Sequence, residues 1–345
     1  MLNNMSSKAL IGKIRSVYGK RIKPSDYSEL VKKTSVSEVC EYLKSATHYA
    51  DTLKPYNEST MHRGQLEILI ERDIFETYVR LKEFNDVISR TNIFAYITRK
   101  LEIREILYCI QLINAGRFEE YITAIPSYFI KHASFDLVEM AKSNTFAELL
   151  ESIKSTRYYK ILKEIPTDKD GKVDYSECEV RLYNEYYTNV VGELISRLNK
   201  SEREEVSAMF GMNVLIKNIL IIYRMRILYK LSYDEAKRYI IQLGTKEKYY
   251  NSLLSAENSE DFFKAIKTIP YIKKFSFKSE NEFSEDMHKI LYDMYVSKIR
   301  MSIRPFVVFY SLFSFFDFER ENLTTIIEGI RYSVPQKEIE DLLII

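Results

Sequence analysis

Three segments of the chain obey one pattern: "SVSEVCEYLKSATHY" from Ser35, "TFAELLESIKSTRYY" from Thr145 and "NSEDFFKAIKTIPYI" from Asn258, spaced by 110 and 113 residues. Each opens on a residue suited to cap a helix, with an acid three positions later: Ser35 with Glu38, Thr145 with Glu148, Asn258 with Asp261. Such pairs satisfy backbone N–H groups that a helix start leaves free. Each segment then closes on a lysine and a hydroxyl residue (Lys44 and Ser45, Lys154 and Ser155, Lys267 and Thr268), and His48, Tyr158 or Tyr271 follows four positions beyond the lysine. A period of this size is far longer than the roughly 20–50 residues of solenoid units, so the copies are duplicated domains rather than stacked hairpins. The expected architecture is all-α, with three similar helical domains, 1–125, 126–241 and 242–345, in a pseudo-threefold arrangement.

Two further blocks recur. "ERDIFETY", "YNEYYTN" and "LYDMYVS" set Asp73, Glu185 and Asp293 two residues before Phe75, Tyr187 and Tyr295, a pattern that predicts solvated acids and buried aromatics. "IKNILIIYRMRILYKLSYDEAKRYII" and "RENLTTIIEGIRYSVPQKEIEDLLII" align Asn218 with Asn322, Tyr229 with Tyr332 and Glu235 with Glu338. The first repeat matches this block loosely, around Glu105 and Ile106. Helical periodicity carries the chain between blocks: in "LEIREILYCIQLI", Ile103, Ile106, Leu107, Ile110 and Ile113 share one face.

Composition narrows the function. A net charge of +2 on 345 residues lacks the basic excess of a nucleic-acid-binding domain, and no small-molecule substrate is indicated. The charge is nevertheless uneven: Met1 to Lys33 holds eight Lys or Arg against two acids, while Asp317 to Ile345 holds three against seven, an asymmetry able to orient a docked protein. Nine glycines form no phosphate-cradling or nucleophile-elbow motif, four histidines form no HExxH or other two-histidine motif, and three scattered cysteines suggest neither disulfides nor zinc in a reducing cytoplasm. No catalytic residue, cofactor or metal site is expected. "PTDKDGKVDYSE" at 166–177 mimics a calcium loop, yet Pro166 stands where the first ligand belongs and no second loop exists to pair with it, so a polar connector is favoured.

The N-terminal stretch lacks the apolar core of a signal peptide. "PFVVFYSLFSFF" at 305–316, the run that stands out as most apolar, falls short of the roughly 20 residues a membrane span needs, so any membrane association is peripheral and this run is expected in the core. Asn218 and Asn322 sit inside apolar helices, where a hydrogen bond to a neighbouring repeat is the favoured role. "LIKNILIIYRMRILYKL" at 215–231 carries four bases and no acid, which suits a buried helix with a basic end, either solvated or facing an acidic partner or lipid headgroups.

The three helical repeats together with the ending "FERENLTTIIEGIRYSVPQKEIEDLL" resemble the C subunit of archaeal and bacterial V-type ATPases, whose eukaryotic homologue is the d subunit. Glu319, Glu321, Asn322, Leu323, Ile326 and Ile327 match that family's "E-x-E-N-L-x-x-I-I" ending; Gly329 keeps its glycine, while Ile330 replaces the usual lysine and Arg331 follows. The resemblance implies a funnel-like, non-catalytic subunit of the rotor, peripheral on the cytoplasmic face of the membrane. It would seat the central axle, made by subunits D and F, on the membrane rotor ring. Arg224, Arg226, Lys230, Glu319, Glu321 and Arg331 are the contact residues expected on that basis. The alternative is a stand-alone helical scaffold that binds another protein.

Overall fold

The computed structural model describes residues 2–84, 93–243, 247–270, 272–273 and 282–345, and their architecture is all-α. The principal helices are Leu2–Gly19, Val36–Ala46, Arg63–Phe84, Ile93–Asn114, Phe146–Ser152, Tyr175–Glu185, Lys200–Ile222, Ser259–Ile266, Phe283–Met301 and Pro305–Arg331. Extended pairing among the described residues is limited to an isolated antiparallel bridge between Thr167 and Val173. Contacts gather the chain into two compact units, one made of Met1–Arg90 with Asn281–Ile345 and the other of Thr91–Glu280. The two ends of the chain therefore share a unit.

The repeated helix starts are built as their residues dictate. Ser35 Oγ accepts the Glu38 N–H at 3.2 Å, Thr145 Oγ1 the Glu148 N–H at 3.2 Å and Asn258 Oδ1 the Asp261 N–H at 2.9 Å. The return bonds fall one residue further out than a reciprocal box requires: Glu38 accepts from the Thr34 N–H and Glu148 from the Asn144 N–H, both at 2.8 Å. Asp261 Oδ2 accepts instead from the Asn258 side-chain amide. Of the aromatics that follow, Tyr158 is buried and His48 nearly so, whereas Tyr271 lies outside the described residues.

The long helices also end alike. Gly116, Lys230 and Ser333 adopt left-handed backbone with φ of 68°, 57° and 55°. The next N–H then turns back to a carbonyl of the last turn: Arg117 to Leu112 at 2.9 Å and Val334 to Gly329 at 2.8 Å, the closure that satisfies free helix-end carbonyls. Leu231 reaches one residue further, to Met225 at 2.9 Å. The cause is a length difference. Twelve positions separate Asn218 from Lys230, against eleven from Asn322 to Ser333, and the second repeat takes up its extra residue as a π-helical segment, Tyr223–Leu228.

In the first unit, Pro305–Arg331 packs on Phe283–Met301, Leu2–Gly19 and Arg63–Phe84. Its run 305–316 is buried from end to end, as expected of core, and Pro305 starts the helix where a missing N–H costs nothing. Aromatic rings fill the interior: Tyr18 meets Phe315 edge-on at 5.0 Å, and Tyr78 lies 4.6 Å from Phe313 while donating its hydroxyl hydrogen to the Phe313 carbonyl. Gly329 marks a close approach. A Cβ there would stand 2.5 Å from Ile339 Cδ1, so any larger residue would displace the Ile339 side chain where Gln336–Leu342 lies against the long helix.

In the second unit, Ile93–Asn114 packs on Tyr175–Glu185 and Lys200–Ile222 on Glu247–Leu254. Residues Lys200–Leu228 form a helical stretch that by length and composition alone could cross a membrane, longer than the run that stands out in the sequence, and just over half of its most apolar window is buried inside the protein. Asn218 donates to the Ile241 carbonyl and accepts the Ile241 N–H, both at 2.9 Å; Asn322 makes the same pair with Ile344 at 2.8 and 2.9 Å. These bonds are internal, but each binds the asparagine's own repeat rather than its neighbour. Each long helix is thereby stapled to the non-helical segment that follows its next short helix. Burial pushes the Cys109 and Cys178 thiols up to about 12, which leaves them as unreactive core groups.

The connector at 166–177 spends its acids locally. Asp168 Oδ1 accepts the N–H groups of Asp170 and Lys172, both at 2.9 Å, Gly171 turns with φ of 77°, Asp174 caps the next helix, and Glu177 pairs with Arg181 at 2.6 Å. Thr145→Ala should lower stability by about 1 kcal/mol through the lost cap, read from the urea midpoint; an unchanged midpoint would show the cap to be idle. Asn218→Ala should cost more, about 1–3 kcal/mol for each Ile241 group left unpaired, in the same measurement.

Candidate interaction surfaces

A buried carboxylate organises each of the two units. Glu319 lies midway along Pro305–Arg331 and is 1% exposed. Tyr49 donates its hydroxyl hydrogen to Glu319 Oε1 at 3.0 Å, and the Ile22 N–H donates to Oε2 at 2.8 Å. His48 Nε2 stands 3.4 Å from the same carboxylate and 3.8 Å from Asp73. Burial raises the Glu319 carboxyl above its ordinary range, against the pull of His48 and these hydrogen bonds. Asp73 is raised by burial too, although Thr52 donates to it at 2.6 Å. The sequence pattern predicts a solvated Asp73; its helix instead turns it towards the Glu319 cluster, with 6% exposure. Its counterpart Glu185 is half-buried beside Arg157, Asp293 is exposed, and the partner aromatics Phe75, Tyr187 and Tyr295 are all buried.

The second unit holds the same device. Glu102, 1% exposed, accepts from the Tyr158 hydroxyl at 2.5 Å and from the Ser134 N–H at 2.6 Å, with Arg99 at 3.0 Å. Glu102, Leu215 and Glu319 occupy one repeat position, each three residues before Glu105, Asn218 or Asn322. Glu105 is itself buried and accepts from Tyr121 at 3.1 Å, so the loose match of the first repeat is a substitution of one buried polar group for another. Each carboxylate ties the long helix of one repeat to the capped segment of another. Where Leu215 replaces the acid, Arg226 makes the tie by donating to the carbonyls of Leu231 and, at 3.0 Å, Ala256.

Beside the Glu319 cluster the first unit opens into a cleft of about 1050 Å³. Lys20, Arg21, Lys23, Arg72 and Arg80 line it, with Asp51, Asp73, Glu76 and His48 among them. Arg72 and Glu76 pair at 2.8 Å. The cleft suits a polar segment of mixed charge. Among the described residues no three potential ligands converge to hold a metal ion.

The six expected contact residues divide. Lys230, Glu321 and Arg331 are exposed, and Arg331 lies over the Tyr332 ring at 5.3 Å. Arg224 is partly exposed, 3.8 Å from Glu179. Arg226 is engaged in the tie just described, and Glu319 faces inward with both oxygens taken, so neither presents its head group to a partner. The bases are not alone at the helix end: Leu228 and Tyr229 are 59% and 61% exposed beside Lys230, and Tyr332, the repeat counterpart of Tyr229, is 67% exposed. Composition conceals these, because the same apolar residues one turn earlier are core.

The pattern of a family described as ATP synthase (C/AC39) subunit matches residues 10–342. The chain is also similar to the C subunit of the A-type ATP synthase of Methanosphaera stadtmanae, 24% identical over 349 residues that cover 96% of this chain and 86% of that protein. Both similarities span all three repeats.

The Glu319 carboxyl is raised above its ordinary 4.5, so its contribution to stability is fully present below that value and is lost as pH rises through the folded one. The parent should therefore lose stability relative to Glu319→Gln, which keeps the shape without the charge, as pH climbs from 4.5 to neutrality. Parallel curves in pH-dependent urea unfolding would contradict this.

Proposed function

We propose, since the chain belongs to the ATP synthase (C/AC39) subunit family, that it is a non-catalytic central-stalk subunit joining the axle of subunits D and F to the membrane rotor ring, at the cytoplasmic face of the membrane. The observation that carries this is the family match over 10–342, nearly the whole chain. The build of the chain supports it. Torque passes through a body only if its parts do not slip, and the long helices here are anchored by buried two-point hydrogen bonds at Asn218, Asn322, Glu102 and Glu319. On this reading the sequence repeats 1–125, 126–241 and 242–345 are three similar helical domains in a pseudo-threefold, funnel-like arrangement. Arg224, Lys230, Glu321 and Arg331 make partner contacts, while Arg226 and Glu319 hold the scaffold behind them.

On this proposal the purified chain hydrolyses no ATP and binds the axle subunits one to one, more weakly as salt screens the exposed charges. Removing it from the assembled enzyme leaves the headpiece hydrolysing ATP while ion pumping stops, because torque then has no path to the ring. The measurement is ATP hydrolysis and ion uptake in the same vesicles, with and without this subunit. Undiminished pumping in its absence would refute the coupling role in favour of a stand-alone scaffold.

A further inference from the structure

The two most exposed large apolar side chains among the described residues are Met301 and Ile303, at 77% and 81%, in the turn between Phe283–Met301 and Pro305–Arg331. This turn is not a frayed end. Arg15 reaches it from the first helix and donates to the carbonyls of Ile299 and Ser302, both at 2.9 Å. Ser302, between the two apolar residues, is buried and accepts the Arg304 N–H at 3.3 Å. The clamp holds the intervening residue down and both apolar neighbours out.

The equivalent turn of the second repeat shows that the fold does not require this. There, on the alignment of Asn218 with Asn322, the polar Arg197 and Asn199 stand in the places of Met301 and Ile303, Leu198 is buried as Ser302 is, and Asn199 caps the following helix with Glu202 in its first turn. The third repeat replaces that arrangement with two outward apolar side chains flanked by Lys298, Arg300 and Arg304; no acid occurs from 294 to 304. Two side chains expose too little area for a stable protein interface, which takes on the order of 1,200 Å² or more. Shallow apolar anchors in a basic, acid-free stretch, with Arg300 exposed beside the Tyr18 hydroxyl and Lys298 and Arg304 half-buried, match a different surface, a bilayer with anionic headgroups, where the cations meet the phosphates and the apolar tips enter the acyl boundary.

We propose that the 298–304 turn is a lipid contact, with Met301 and Ile303 inserting among the headgroups of an anionic bilayer and Lys298, Arg300 and Arg304 supplying the electrostatic attraction. This uses no contact with an axle or ring, so it stands or falls apart from the coupling role. The chain has no tryptophan, so a single introduced indole reports its own surroundings. In the full-length protein, Ile303→Trp should shift its emission to the blue on vesicles of phosphatidylglycerol with phosphatidylcholine, and lipid-borne bromine should quench it. Neither should happen on phosphatidylcholine alone, nor for Tyr108→Trp, at a half-exposed position of the other unit. Met301→Ser with Ile303→Ser should lower flotation with anionic vesicles at least tenfold while circular dichroism and thermal midpoint stay those of the parent. An indole that remains in water on anionic vesicles would overturn the proposal, as would a double serine variant that floats like the parent. So would a double variant that floats normally but fails to join an assembled rotor, since the turn would then be a protein contact.

Discussion

The inward carboxylate of Glu319 is the interaction on which the first unit depends. It lies on the last long helix, yet its donors are the backbone of Ile22 and the hydroxyl of Tyr49, 297 and 270 residues away in sequence. A carboxylate taken out of water needs its lone pairs satisfied, and here the opening segment of the chain supplies the donors. The two chain ends are joined by that need as well as by apolar burial. The pairing is costly to leave half made, so it also excludes other registers of the first capped helix against the long one.

Glu102 repeats this logic with Ser134 and Tyr158. The unit of packing is therefore offset from the unit of sequence: a long helix from one repeat receives the capped segment of the next, and the last long helix receives the first segment. Where the position carries Leu215 the polar tie moves to Arg226, at a helix end already altered by one extra residue and its π-helical turn. The repeat thus keeps the joint while exchanging the chemistry that makes it.

The same offset separates scaffold from surface. Charged residues that a linear pattern groups together, such as Glu319 with Glu321 or Arg226 with Arg224, part company on a helix because neighbours two residues apart face nearly opposite sides. One member of each pair is drawn into a joint, whereas Glu321 is exposed and Arg224 is partly exposed beside Glu179. Gly329 belongs to the scaffold for a steric reason, the close approach of Ile339.

Local chemistry made much of this legible from the residues alone: the all-α class from its periodicity, the three capped starts from Ser35, Thr145 and Asn258, the core role of 305–316, and the polar turn at 166–177. These depend on neighbours within a few positions, which a sequence displays. Glu102 as the counterpart of Glu319 was also within reach, since each precedes an aligned position by three residues. What the residues did not disclose was which polar groups would be buried. Asp73 belongs to a recurring acid-aromatic block that predicts solvent exposure; its place is set by Thr52 and His48, which reach it from the segment that follows Val36–Ala46. Met301 and Ile303 have the composition of core and the position of surface because Arg15 and Ser302 pin the turn between them. Sequence determines helix starts, ends and faces through short-range hydrogen bonding and apolar spacing. Only tertiary structure decides which face meets which, because desolvation of a carboxylate or an apolar side chain depends on everything packed around it.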